Sequence, residues 1–213
     1  MLGDFFSVSN KNLELIKALV SVLEAGEPNM DGHSLHVHNL VMLLYDYLPW
    51  EMSIQIRKSD LEYASLLFDV GKYGIPGRIM DKTGKLAGDE WEIIKRHPQT
   101  CVDILNSAGN FGRMTDWILY HHERVDGRGY YGLKGEEIPL ASRMIALADT
   151  YSSITMSRTY KPTLTHEDAV AELKLAAKTQ LDENLVKLFC EIPIQRVESC
   201  MDDVKKKIER YKS

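Results

Sequence analysis

Residues 67–72 read Leu67-Phe68-Asp69-Val70-Gly71-Lys72, and residues 121–130 read His121-His122-Glu123-Arg124-Val125-Asp126-Gly127-Arg128-Gly129-Tyr130. In the first stretch, Asp69 and Lys72 follow a segment whose apolar residues Leu61, Ala64, Leu67 and Phe68 fall on one helical face. In the second, two adjacent histidines open a glycine-dense loop. Working outward, His33 begins an otherwise apolar segment carrying Val37, Leu40, Val41 and Leu44. His97 stands before Pro98, at a helix boundary. Asp149 follows the apolar run Met144 to Ala148, where an unpaired carboxylate is costly.

Helical periodicity runs through nearly all of the chain, and no sustained alternation argues for a sheet, so the predicted fold class is all-α. Ser9-Asn10 caps a helix from Lys11 to Glu24, ended by Gly26 and Pro28. Further helices are expected from Asp31 to Pro49, from Asp60 through Phe68, from Asp89 to Arg96, from Pro98 to Gly109 and from Thr115 to His122. Gly71 to Gly88 reads as loop, as does Asp126 to Gly135. Helices resume over Ile138 to Ser153, over Thr165 to Lys178 behind a Thr165/Asp168 capping signature, and over Ile194 to Tyr211. This organisation predicts an N-terminal helix over 1–27, a central domain over 28–191 and a C-terminal helix over 192–213. Apolar Leu185, Val186, Ile194, Val197 and Val204 fit core or a homodimer seam, with core the simpler reading.

The 213 residues are 44% apolar and 27% charged, enough for a real core. A net charge of −5 argues against a nucleic-acid polymer as partner, since phosphate neutralisation supplies most of that affinity. No apolar run reaches the roughly 18 residues of a membrane span. Met1 to Asn10 lacks the basic and apolar regions of a secretory signal, and a cytoplasmic location is the expectation. Cys101, Cys190 and Cys200 are few and far apart, which fits reduced thiols.

Each polar residue has an ordinary explanation by itself. A lone helix histidine is usually a hydrogen-bonded core or surface group. Asp69 fits a helix end satisfying loop amides, and Asp149 fits a partner for an arginine. Neighbours such as His121 and His122 point about 100° apart on a helix and rarely share a partner. Taken together, two buried-looking aspartates and four histidines need common partners, and a divalent cation satisfies them at once. Mixed imidazole and carboxylate donors suit iron, manganese, zinc or nickel better than calcium.

From about Asn29 to Phe189 the chain resembles the HD-GYP subgroup of the HD metal-dependent phosphohydrolases. The matching strings are His33-Ser34-Leu35-His36-Val37, Phe68 to Pro76, Lys95 to Pro98, His121 to Tyr130, Gly132 to Pro139, Arg143 to Asp149 and Ser157-Arg158-Thr159-Tyr160. The resemblance implies a compact helical fold around two or three ions, often iron or manganese. It implies hydrolysis of cyclic di-GMP or a related cyclic dinucleotide in bacterial signalling. His33, Asp69, His97, His121, His122 and Asp149 occupy its metal-ligand positions, with Asp69 bridging. Asp69 and Lys72 are the catalytic candidates. Lys72, Tyr130 and Arg158 are the substrate-binding candidates, and the Tyr130 loop is a docking element for other signalling proteins.

Three positions depart from the pattern. Phe68 replaces the histidine of the His-Asp pair, Asn29 stands where some members supply a glutamate, and Gly129-Tyr130-Tyr131-Gly132 lacks the proline and one residue. Asp69, His97, His121 and His122 remain a whole set for one ion. The second ion, Fe or Mn by the resemblance with Zn, Ni or Mg as alternatives, keeps His33, Asp149 and the shared Asp69. His36, one helical turn beyond His33, is a substitute donor. Two further readings stay open beside the phosphodiesterase: a degenerate module that binds a cyclic dinucleotide or a partner without cleaving, and a hydrolase of another phosphorylated substrate.

Overall fold

The computed structural model describes residues 10–25, 32–82, 84–156 and 163–212. Twelve α-helices run through these residues: α1 (Asn10–Ala25), α2 (His33–Asp46), α3 (Trp50–Ser53), α4 (Lys58–Leu67), α5 (Gly77–Met80), α6 (Gly88–Lys95), α7 (His97–Ala108), α8 (Arg113–Leu119), α9 (Leu140–Thr155), α10 (His166–Ala176), α11 (Glu183–Glu191) and α12 (Ile194–Lys212). Short 3₁₀ turns occupy Val70–Gly74 and Gly135–Glu137. The described residues contain no strand, only one isolated bridge between Ala177 and Leu181. None of their helices is long and apolar enough to cross a membrane.

The hydrophobic α2 is the axis of the fold, touched by α1, α4, α9 and α12. Val37, Leu40, Val41 and Leu44 on α2 pack with Leu61 and Ala64 on α4, Phe68 just beyond it, and Met144, Ile145 and Ala148 on α9. The same cluster takes in Leu185 and Phe189 from α11 and Val197 from α12, while Val204 packs with Leu35 and Leu66. The apolar face of the C-terminal helix is therefore core. Burying so many leucine-sized side chains, each worth about 1.5–3 kcal/mol, makes α2 rigid enough to carry polar groups at its N-terminus.

Local chemistry sets the boundaries. Thr165 Oγ1 accepts from the Asp168 amide at 3.2 Å, the cap its sequence promised. Asp182 caps α11 by accepting from the amides of Asn184 and Leu185. Gly32 precedes α2 with φ +78°, and a Cβ there would lie 2.5 Å from Val204 Cγ1, so only glycine lets α12 close over the start of α2.

Several boundaries differ from the sequence expectation. Helix α2 ends at Asp46, before Pro49, and α4 starts at Lys58 rather than at Asp60. The expected loop from Gly71 to Gly88 holds the Val70–Gly74 turn and α5, short elements whose periodicity is too brief to register. Leu185 and Val186, expected with the C-terminal helix, lie instead on a separate helix, α11. Most consequentially, α8 stops at Leu119 instead of continuing to His122. Ser9, Gly26, Pro28, Asn29, Asp31 and the Ser157-Arg158-Thr159-Tyr160 string lie outside the described residues.

Candidate metal centre

Asp69 follows α4 in a turn, 1% exposed, with α7 and the segment after α8 facing it. Its approach to α7 depends on Gly71, where a Cβ would fall 2.1 Å from the His97 carbonyl oxygen and 2.9 Å from the Cys101 nitrogen. No other residue fits there. Cys101 fastens the same turn, its thiol donating to the Phe68 carbonyl and its sulfur accepting from the Gly71 amide, both at 3.0 Å.

Because α8 ends at Leu119, His121 and His122 sit in a turn rather than on a helix. The angular separation of consecutive helical residues does not apply, and both rings turn inward, their centroids 4.0 Å apart. One donor atom from each of Asp69, His97, His121 and His122 lies within 4.8 Å of all the others.

Two backbone carbonyls decide the proton positions. His97 Nδ1–H donates to the Ile94 carbonyl at 2.8 Å, and His121 Nδ1–H donates to the Ile118 carbonyl at 2.6 Å. In neutral rings this leaves both Nε2 atoms as bare lone pairs. Those two atoms lie 3.3 Å apart, and they lie 3.3 and 3.8 Å from Asp69 Oδ1. With both rings neutral no proton bridges the three, and Asp69 Oδ1 is a buried oxygen for which the geometry provides no hydrogen bond. Burial pushes the His121 pKa down to about 4, with the His97 ring adding to the effect. Burial and then His121 hold His122 well below the usual imidazole range. Three converging, unprotonated donors repel one another in water's absence and attract a cation. The donor set therefore fits a divalent metal ion, with carbonyl-oriented imidazoles of the kind that tune ligand basicity.

The other Asp69 oxygen, Oδ2, takes Lys72 Nζ at 2.6 Å. Burial alone would raise the Asp69 pKa, but the Lys72 charge and the His97 ring outweigh it and keep the carboxyl ionised well below its usual range.

On the other side stand His33 and Asp149. His33 Nε2 is 3.0 Å from Asp149 Oδ1 and 3.8 Å from Asp69 Oδ2. Burial opposes ionisation of Asp149, yet His33 and Lys72 hold its pKa below the usual carboxylate range. Ser152, one turn past Asp149 on α9, brings its hydroxyl to 3.0 Å from His33 Nδ1 and also to 3.0 Å from His36 Nδ1. His36 thus shares the support of His33 while its own Nε2 is buried without a partner.

Phe68 fills the space between the two groups. It is fully buried, its ring 5.1 Å from that of His121 and 6.1 Å from that of His33. An apolar ring occupies the inside of an otherwise polar cluster.

At the rim, the half-buried Tyr130 ring stands 4.9 Å from His122, and burial with the charges of Asp69 and Asp149 pushes its pKa up to about 12. Glu123 anchors the loop that carries it, accepting from the amides of Tyr131 and Leu133, both at 2.6 Å. Trp91 on α6 meets Tyr130 edge-on at 6.2 Å. Sequence reasoning assigned no role to Glu123, Ser152 or Trp91. Ser152 carried a signal, since it lies three residues from Asp149 on one helix face. Arg158 lies outside the described residues.

A helical fold closed around a His/Asp cluster of this kind defines a metal-dependent HD-type domain. The HD domain family model matches residues 17–185, and the chain belongs to that family, in its HD-GYP branch. It is 32% identical over 190 residues to a cyclic di-GMP phosphodiesterase of Vibrio cholerae, covering 83% of this chain and 39% of that protein. It is 42% identical over 116 residues to a cyclic di-GMP phosphodiesterase response regulator of Xanthomonas campestris, covering 53% of this chain and 31% of that one. A solved structure of a cyclic GMP-AMP specific phosphodiesterase from Vibrio cholerae shares the fold, with a TM-score of 0.64 at 20% identity over 93% of this chain and 52% of that one. The chain spans about two-fifths or less of the length of these curated relatives.

Proposed function

We propose that the chain is a metal-dependent phosphodiesterase acting on cyclic di-GMP or a related cyclic dinucleotide in bacterial signalling. The observation that carries this reading is the trio of unbridged acceptors, Asp69 Oδ1 with Nε2 of His97 and of His121, beside His122. Relatives named for hydrolysing cyclic di-GMP and cyclic GMP-AMP support the substrate class. Bound iron or manganese would supply Lewis acidity to a phosphate oxygen and acidify a water.

The chain's own groups have separable tasks. His97, His121, His122 and Asp69 would hold one ion; His33, Asp149 and Asp69 would hold a second more weakly, because Phe68 brings no donor. Lys72, paired with Asp69 Oδ2, would supply a positive charge to a substrate phosphate. Tyr130, un-ionised at neutral pH, offers a phenolic O–H at the rim. Arg158 is the second phosphate contact. The Tyr130 loop, pinned by Glu123, is the surface for other signalling proteins.

Hydrolysis of cyclic di-GMP by protein loaded anaerobically with Fe(II) or Mn(II) tests this, against an Asp69→Ala control. Turnover no faster than the control, with the metal bound, rules the reading out. In that case Phe68 favours the second reading, a module that binds the nucleotide without cleaving it. Calorimetry would then register binding of intact cyclic di-GMP that weakens on Lys72→Ala.

A further inference from the structure

Helix α1 is apolar on two faces. Its inner face buries Val20 and Glu24 and packs Leu13 and Ile16 against α2 and α4. Its outer face leaves Leu15 at 58%, Leu19 at 54%, Val22 at 65% and Leu23 at 46% exposed. Four of the large exposed apolar side chains of the described residues therefore stand on this one helix. By fractional exposure they present roughly 400 Å² of apolar surface, the size of the largest patch on a typical monomer, which is often functional.

The spacing identifies the occupant. Asn12, Leu15, Leu19 and Val22 follow one another at intervals of three, four and three, the a/d spacing of a coiled coil. Asn12 falls at an a position and is exposed. A single a-position asparagine is the device that fixes register and dimeric state in parallel coiled coils, because it is satisfied only opposite its own copy. The flanking positions, Ala18 and Leu23 among them, carry no charge from Asn12 to Ala25, although 27% of the chain is charged. Between Ile16 and Ala25 a second copy therefore brings no like charges together at the positions flanking the seam.

We propose that α1 is the seam of a parallel homodimer, with each Asn12 hydrogen-bonded to its counterpart in the second copy. Both copies together remove about 800 Å² from water, short of the roughly 1,200 Å² of a standard stable interface, so the dimer is reversible. The same helix reaches the metal centre. Its Glu24 carboxylate accepts the Ser34 amide at 2.7 Å, one residue past His33. Dimerisation therefore steadies the helix that holds the N-terminus of α2.

Analytical ultracentrifugation over a micromolar concentration series tests the proposal, and it reads mass rather than turnover. The whole chain is expected to pass from monomer to dimer, with Leu19→Glu weakening association at least a hundredfold. Leu175→Glu, at an exposed apolar position on α10, should leave it unchanged. Asn12→Ile should strengthen association and admit species larger than a dimer. Leu15→Cys should crosslink rapidly to itself under mild oxidation, since d positions face each other only in the parallel arrangement. A monomer at every concentration overturns the proposal, and so does association that survives Leu19→Glu. Loss of association on Leu19→Glu without a Leu15→Cys crosslink refutes the parallel seam. Helicity by circular dichroism identifies any variant that has failed to fold, and the crosslink then decides the matter independently.

Discussion

Replacing Phe68 by histidine should make the metal-free protein weaker and the loaded protein more active. Phe68 is fully buried against His33 and His121. Phe68→His forfeits part of a burial worth about 1.5–3 kcal/mol and, without a cation, leaves a buried imidazole short of a partner at about 1–3 kcal/mol. Together these give a loss of about 2–4 kcal/mol, and at roughly 2–4 °C per kcal/mol the chelated variant should melt about 5–15 °C below the parent. With metal the sign reverses. An added imidazole donor should tighten the second ion by about 10–100-fold, no less than outer-sphere partners of metal ligands command. Each hundredfold returns about 2.7 kcal/mol at equal free metal. The melting temperatures with and without Mn(II), the metal content of anaerobically purified protein and the rate of cyclic di-GMP hydrolysis together decide the case. A variant that gains no metal per chain, gains no more melting temperature from Mn(II) than the parent, and hydrolyses no faster refutes the reasoning that Phe68 occupies a ligand position.

Asp69→Ala should abolish binding at both ion positions, so that calorimetric titration with Mn(II) gives no heat at micromolar protein. Glu123→Gln keeps one acceptor but loses its charge, and should cost about 1.5–3 kcal/mol, with earlier proteolytic nicking between Val125 and Lys134. Gly71→Ala drives a Cβ into the His97 carbonyl, which cannot yield as a side-chain tip does; the loss should exceed the roughly 1–3 kcal/mol of ordinary overpacking, read as a collapse in denaturation midpoint. In chelator, acid should destabilise the fold between pH 6.5 and 4.5. His36 and His38, lowered to about 3, and His121, lowered to about 4, stay neutral when folded but take up protons near 6.5 when unfolded, each costing about 1.4 kcal/mol per pH unit. Glu24, raised by burial to about 7, runs the other way, because its folded form binds a proton that the unfolded form releases above about 4.5. His122, held well below its usual range, acts in the same direction, so four groups against one leave a net loss on acidification, and denaturant midpoints that rise as the pH falls from 6.5 to 5 would contradict it.

The fold class was legible because long helices repeat their apolar pattern: α2, α9 and α12 each bury a continuous face. Thr165 and Asp168 located the start of α10 to the residue. What pattern could not supply was how chain breaks aim side chains. The early end of α8 turns His121 and His122 to one side, and nothing in their spacing announces it. Elements as brief as α5 or the Val70–Gly74 turn contain too few residues to show a period, yet Gly71 sets the distance from Asp69 to α7. The absent donor at Phe68 was evident from motif likeness, whereas its place between two imidazoles required coordinates. The outer face of α1 was visible as leucines and became informative only when the inner face was seen to be filled by others.

The carbonyls of Ile94 and Ile118 have one more effect. By holding the Nδ1 protons of His97 and His121, they spare the rings any tautomer change when a cation arrives. A free imidazole surrenders its ligand atom to solvent protons below about pH 6.5, so acid strips metal from ordinary histidine sites. Here the His121 lone pair survives to about pH 4. Loading is thus a nearly proton-silent event at that ring, and its heat should be almost independent of the buffer's ionisation enthalpy. Burial keeps the His121 lone pair free as the pH falls, and the Ile118 carbonyl fixes which ring nitrogen offers it.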